Sequence, residues 1–126
     1  MSSLRLIAVS SLLIVTVGCG SNSPSPATPS PAPAPGGPSA SVAIPMGAST
    51  LGNRAFSPDD LDIAAGTSVT WKNTDSVAHT STSDANGWNS GTVAPGGQFS
   101  VAFPTAGTFP YHCAIHPGMV GTVVVR

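Results

Sequence analysis

Tyr111-His112-Cys113-Ala114-Ile115-His116-Pro117-Gly118-Met119 sets a thiol, two imidazoles and a thioether within one short turn. The rest of the chain reads as the scaffold that closes this turn around a metal ion. Two His and one Cys in a plane, with a weak axial Met, is the donor set of blue copper sites. Cys113, His116 and Met119 supply three of those four positions. The missing imidazole must come from another part of the chain, which holds three histidines in all. The side chain of His112 points to the opposite face of its strand from Cys113, which leaves His79. A lone histidine on a strand is more often structural than a ligand, so position alone makes His79 a candidate and no more.

Cys113 carries the electronic argument, because a soft thiolate favours copper and a coordinated thiol is deprotonated outright. The other cysteine, Cys19, lies far away at the end of the amino-terminal apolar run, so no disulfide framework is expected. Charged residues make up 7% of the chain; from residue 41 onward Arg54, Lys72 and Arg126 stand against Asp59, Asp60, Asp62, Asp75 and Asp84. This leaves no basic patch for nucleic acid. With 126 residues there is room for one folded domain once two leading segments are set aside.

The first of these, residues 1–19, begins with Arg5, continues as an apolar run from Leu6 to Val17 and ends in "TVGC". It reads as an export signal, too short for a comfortable span of about 20 apolar residues. Its end resembles the lipobox of bacterial lipoproteins, with Thr16 where Leu is usual. That resemblance implies lipidation of Cys19 and a membrane anchor, placing the protein in the periplasm or on the outer cell surface. The second segment, residues 20–40, holds seven prolines and almost no apolar bulk. Such a composition cannot bury enough surface to fold, and Pro alternating with Ala or Ser favours an extended tether on the order of 60 Å.

From residue 41 the pattern becomes short runs with period-two alternation, broken by Gly, Pro, Asn and Asp, as expected of an all-β sandwich of seven to eight strands. Strands are expected near 41–46, 61–64, 67–73, 77–82, 98–103, 108–113 and 120–125. Alternation turns Val42, Ile44, Leu61, Ile63, Val69, Trp71, Phe99, Val101, Phe103, Phe109, Tyr111, Val123 and Val125 inward. Met46 continues the series of Val42 and Ile44 and is read as core. Residues 83–92 are read as a loop with a brief helical turn and with Trp88 tucked against the core.

Three stretches in order, "AFSPDDLDIAAGTSVTWKNTDSVAHT", "GWNSGTVAPGGQFSVAF" and "AGTFPYHCAIHPGMVGTVVV", make the last 86 residues resemble a cupredoxin of the plastocyanin and amicyanin type. Two residues between His116 and Met119 resemble the short ligand loop of amicyanin. The resemblance implies a Greek-key β-sandwich over 41–126 and one type 1 copper held by His79, Cys113, His116 and axial Met119. It also implies that electrons cross at an apolar surface of His116, Pro117, Gly118 and the turn containing Pro95. Thr80 stands where those proteins carry an Asn beside the first ligand His, and a hydroxyl can do part of its work. His112 occupies the place of a Tyr that resembles an electron entry point; it is either a partner contact or a strand histidine with no role.

The function expected is a one-electron carrier in the bacterial envelope. It would be a monomer, serving a cytochrome, dehydrogenase or oxidase and attached to the membrane by its lipid. A catalytic metal needs a vacant coordination position, and this donor set leaves none, so no enzyme activity is expected. The alternative is a copper-handling module that uses the same ligands for capture or delivery.

Overall fold

The computed structural model describes residues 36–126. The expected signal segment with Cys19, and residues 20–35 of the expected linker, lie outside the described residues. Seven strands are found among those described: β1 (Ser39–Ile44), β2 (Asp60–Ile63), β3 (Thr67–Asn73), β4 (Thr82–Ser83), β5 (Gln98–Phe103), β6 (Gly107–His112) and β7 (Val120–Val125). They form a sheet ordered β1-β3-β5 and a second ordered β2-β7-β6-β4. Every connection up to β6 crosses from one sheet to the other, and only β6 and β7 are consecutive strands paired side by side. This is the all-β sandwich that the alternation predicts, with the Greek-key type of connection that the resemblance implies.

The period of two does the sorting. Val42, Ile44, Val69, Trp71, Val101, Phe103, Tyr111, Val123 and Val125 are buried between the sheets, while Leu61, Ile63, Phe99 and Phe109 close its margins half-buried. Each fully buried aliphatic or aromatic side chain contributes roughly 1.5–3 kcal/mol, so a slip of one residue in any strand would forfeit several of these at once. Trp71 sits at the centre, edge-on to Tyr111 from the opposite sheet at 5.3 Å between ring centroids. Tyr111 reaches across β7 because its partner there is Gly121, where a Cβ would stand 2.6 Å from the phenol ring.

Four local expectations are corrected. Met46 is 66% exposed: β1 stops at Ile44 because Pro45 has no N–H to extend the ladder, and Gly47 turns the chain in a left-handed conformation. In place of a strand over 77–82 there are isolated bridges of His79 to Val93 and of Thr82 to Asn89, and the two-residue β4. Side-chain hydrogen bonds of Asn73 and Asp75 hold the chain leading into this segment in a bend instead, as such side chains do when they compete with a ladder. Residues 83–92 contain bends and turns but no helix, although Trp88 is buried as expected. Finally, β1 begins at Ser39, inside the stretch assigned to the linker. The short 3-10 helices Ala48–Thr50 and Gly52–Arg54 were not anticipated.

The registers place the site. β1 pairs in parallel with β3, so Ile44 and Asn73 end together; β5 starts opposite Lys72, and His112 at the end of β6 faces Val120 at the start of β7. The loops after β1, β3 and β6, and the turn before β5, therefore emerge at one end of the sandwich.

Candidate metal centre

Cys113 lies one residue beyond β6, and its backbone N–H donates to the Met119 carbonyl at 3.0 Å, closing residues 113–119 into a compact loop. Within it the Met119 N–H donates to the His116 carbonyl at 3.3 Å. Gly118 carries φ +102°, a left-handed conformation that lets the chain turn back between His116 and Met119. Cys113 and Met119 are buried and part of the core cluster, while His116 is half-buried and Ala114, Ile115, Pro117 and Gly118 are exposed.

His79 arrives from the other direction. Its backbone N–H and C=O both pair with Val93, and its ring is completely buried. The Nε2 atom lies 2.9 Å from Asp75 Oδ2. Since the carboxylate can only accept, Nε2 carries the proton and the Nδ1 lone pair is left pointing the other way. There it meets His116 Nδ1 at 3.2 Å and Cys113 Sγ at 3.9 Å, with His116 Nδ1 also 3.9 Å from the sulfur. Metal bonds of about 2.0 Å to nitrogen and 2.3 Å to sulfur place three donors of a trigonal plane roughly 3.5–3.7 Å apart. The observed triangle matches that spacing, so these three groups fit one ion of the copper type, which favours imidazole with thiolate.

The groups around the donors hold them in place. The Thr80 backbone N–H points at Cys113 Sγ at 3.3 Å, and the Thr80 hydroxyl accepts the Ala114 N–H at 2.7 Å while hydrogen-bonding Thr82 at 3.1 Å. The hydroxyl thus ties the His79 segment to the Cys113 loop. Asp75 is the one buried carboxylate among the described residues. Its Oδ2 accepts the Ala48 N–H, and its Oδ1 the Ser76 N–H. The His79 ring, followed by the neighbouring backbone amides, holds its carboxyl well below the usual carboxylate range despite burial. Asn73 in turn donates to the Val77 and Val93 carbonyls and accepts the Asp75 N–H.

The sequence reading missed Asp75 and Asn73. The available signal was Asp four residues before His79 in a segment rich in Ser, Thr and Asn, which favours local side-chain hydrogen bonding. His112 faces away from the donors, as alternation requires, and pairs through Nδ1 with Asp84. Pro95, Pro117 and Gly118 are exposed at the same end as His116.

Comparison with known proteins agrees with this geometry. Residues 36–125 match the model of the cupredoxin-like domain. A plastocyanin of Scenedesmus fuscus is 35% identical over 98 residues, covering 68% of this chain and 99% of its own. Among solved structures, a purple cupredoxin from Nitrosopumilus maritimus superposes with a TM-score of 0.63 at 38% identity, covering 69% of this chain and 99% of that one. An amicyanin variant in its Cu(I) form gives 0.60 at 26% identity, covering 70% and 82%. With the family model spanning most of its length, this chain belongs to the cupredoxin-like family, and His79, Cys113 and His116, with Met119 beside them, form the candidate seat of the family's type 1 copper.

Proposed function

We propose that this protein is a one-electron carrier in which His79 Nδ1, Cys113 Sγ and His116 Nδ1 would hold a single type 1 copper, with the buried Met119 beside them as the fourth donor. The observation that carries this reading is the trigonal closure of three donors from two separate segments, at mutual distances of 3.2–3.9 Å. Copper bound there supplies a centre that cycles between two oxidation states one electron apart. The protein's part is to keep the donors still. His79 is held by Asp75, the sulfur receives the Thr80 N–H, and the loop is tied at Ala114 and Met119. Four protein donors leave no vacant position for a substrate, which favours electron carriage over catalysis.

The surface for exchange in this reading is the end where half-buried His116 comes up among exposed Pro117, Gly118 and Pro95. Met46, Leu51, Val77 and Ile115, exposed in the loops of this end, add apolar area. The loop segments 45–51, 93–97 and 113–119 contain no charged residue. Such a surface suits brief contact with a redox protein such as a cytochrome, dehydrogenase or oxidase. We assign the protein to the bacterial envelope, exported by residues 1–19 and anchored through lipidated Cys19 by the two or more acyl chains that stable attachment needs. In a bacterial host Cys19→Ala should then release it to the soluble fraction; unchanged detergent partitioning would count against the anchor.

The copper reading is tested by titrating Cu(II) into the protein. One equivalent should give intense visible absorption from the Cys113 thiolate, and Cys113→Ser should abolish it. Persistence of the colour in Cys113→Ser, or colourless binding by the parent, contradicts the assignment.

A further inference from the structure

Among the described residues Asp75 is the one buried carboxylate, and no Lys or Arg among them pairs with it. A buried ionised group is costly unless it is hydrogen-bonded and its charge is met. Hydrogen bonds are supplied by the Ala48 and Ser76 amides and by the Nε2–H of His79, all aimed at its two oxygens. Its own N–H is fixed by Asn73 Oδ1 at 2.9 Å. Its one ion-pair partner among the described residues is an imidazole whose other nitrogen faces Cys113 and His116. The negative charge therefore lies one ring away from the place where three donors converge.

We infer that Asp75 is a positioning and potential-setting residue: its carboxylate locks His79 as the Nε2–H tautomer, donor atom inward, and lowers the reduction potential of the centre. The inference rests on the copper reading above and deepens it. Two consequences follow from the charge and the bond. A carboxylate accepting the Nε2 proton makes Nδ1 a more basic donor and fixes the ring plane, as partners of metal-bound histidines do. It also favours the more positive oxidation state: with one thiolate, the Cu(II) form of the site carries one positive charge more than the Cu(I) form. The same lock holds His79 in place when the electron arrives, leaving half-buried His116 as the ligand with more freedom.

The test uses Asp75→Asn in the full chain, which can keep an acceptor oxygen toward His79 while removing the charge. Its copper form should retain the thiolate absorption while the ratio of Cu(II) to Cu(I) stability falls roughly 10-fold. For a one-electron couple that is a rise in midpoint potential of about 59 mV, read by spectroelectrochemistry. Asp75→Glu, which keeps the charge, should move the potential by less than half as much. A coloured Asp75→Asn protein with the parent's potential overturns the inference while leaving the copper reading intact. A parent that gains no thiolate absorption with copper overturns both. If Asp75→Asn does not fold, the parent's diamagnetic Cu(I) form decides by 15N-resolved NMR. A protonated Nε2 on His79, with its proton shifted far downfield and slow to exchange, is the expected signal, and an unprotonated Nε2 overturns the inference.

Discussion

The two segments that meet at the metal centre are built in opposite ways. The Cys113–Met119 loop carries three of the four proposed ligands, lies largely in solvent, and is closed by two backbone hydrogen bonds among its own residues. The Asn73–Thr82 segment carries one ligand, His79, yet is largely buried and knitted by the side chains of Asn73, Asp75, Thr80 and Ser81. Ser81 even accepts the Nε1–H of core Trp88 at 2.9 Å, connecting the segment to the centre of the sandwich. Ligand number and structural support are thus divided: the loop supplies donors and an exposed edge, and the buried segment supplies the fixed reference against which the loop closes. Such an arrangement suits the proposed electron carrier, whose site should change little between oxidation states, because the fully buried His79 is also the most heavily hydrogen-bonded of the ligands.

The largest expected effect separates the two histidines. His79→Gly and His116→Gly should both lose the thiolate absorption, but added imidazole should restore it only in His116→Gly. That cavity opens to solvent, whereas the place of His79 is sealed. Equal rescue of both, followed by visible titration, would erase the contrast drawn here. Next in size is Asn73→Ala. It leaves the Val77 carbonyl and the Asp75 N–H without their partner and takes one of two donors from the Val93 carbonyl, which keeps the His79 N–H, and groups stranded in this way cost about 1–3 kcal/mol each when buried. We expect a loss of about 3 kcal/mol in denaturant-derived stability, where a surface-like loss under 0.5 kcal/mol would show that the segment is not rigid.

Thr80→Val tests the tie between the segments. It strands the Ala114 N–H and should cost about 1 kcal/mol, whereas Thr80→Ser should keep the hydrogen bond and most of that stability. The smallest stability effect belongs to the exposed loop. Ile115→Lys should stay within ~0.5 kcal/mol of the parent with its absorption intact, while electron self-exchange slows because like charges then face each other. A charge at Gly118 would make a poorer probe, since φ of +102° strains any side chain placed there.

The same division explains what could be read from the chain. Cys113, His116 and Met119 were legible because metal chemistry needs those residue types at short spacing, and the Val and aromatic alternation located β1, β3, β5, β6 and β7. The 77–82 stretch misled because Ser and Thr beside Val and Ala look like a strand. What decides its conformation is where the Asn73 and Asp75 side chains find partners 1 to 27 residues away. Asp75 itself reads as a surface charge until the fold brings His79 and the Ala48 amide to it. Met46 fitted the alternation, but the period ends where Pro45 interrupts the ladder. For Thr80 the resemblance already implies a hydroxyl doing part of the work of an Asn beside the first ligand, but its partner, the Ala114 N–H 34 residues further along the chain, comes from the fold.

If a heavily hydrogen-bonded segment and a short exposed loop hold one copper for electron exchange rather than for delivery, the protein should exchange electrons rapidly with itself. NMR line broadening in mixtures of Cu(I) and Cu(II) protein measures this. Rapid exchange should broaden the Cu(I) resonances in proportion to added Cu(II) protein, with no loss of metal to a Cu(I) chelator on that timescale. Slow self-exchange together with ready surrender of Cu(I) to the chelator would contradict electron carriage and identify the protein as a copper-handling module.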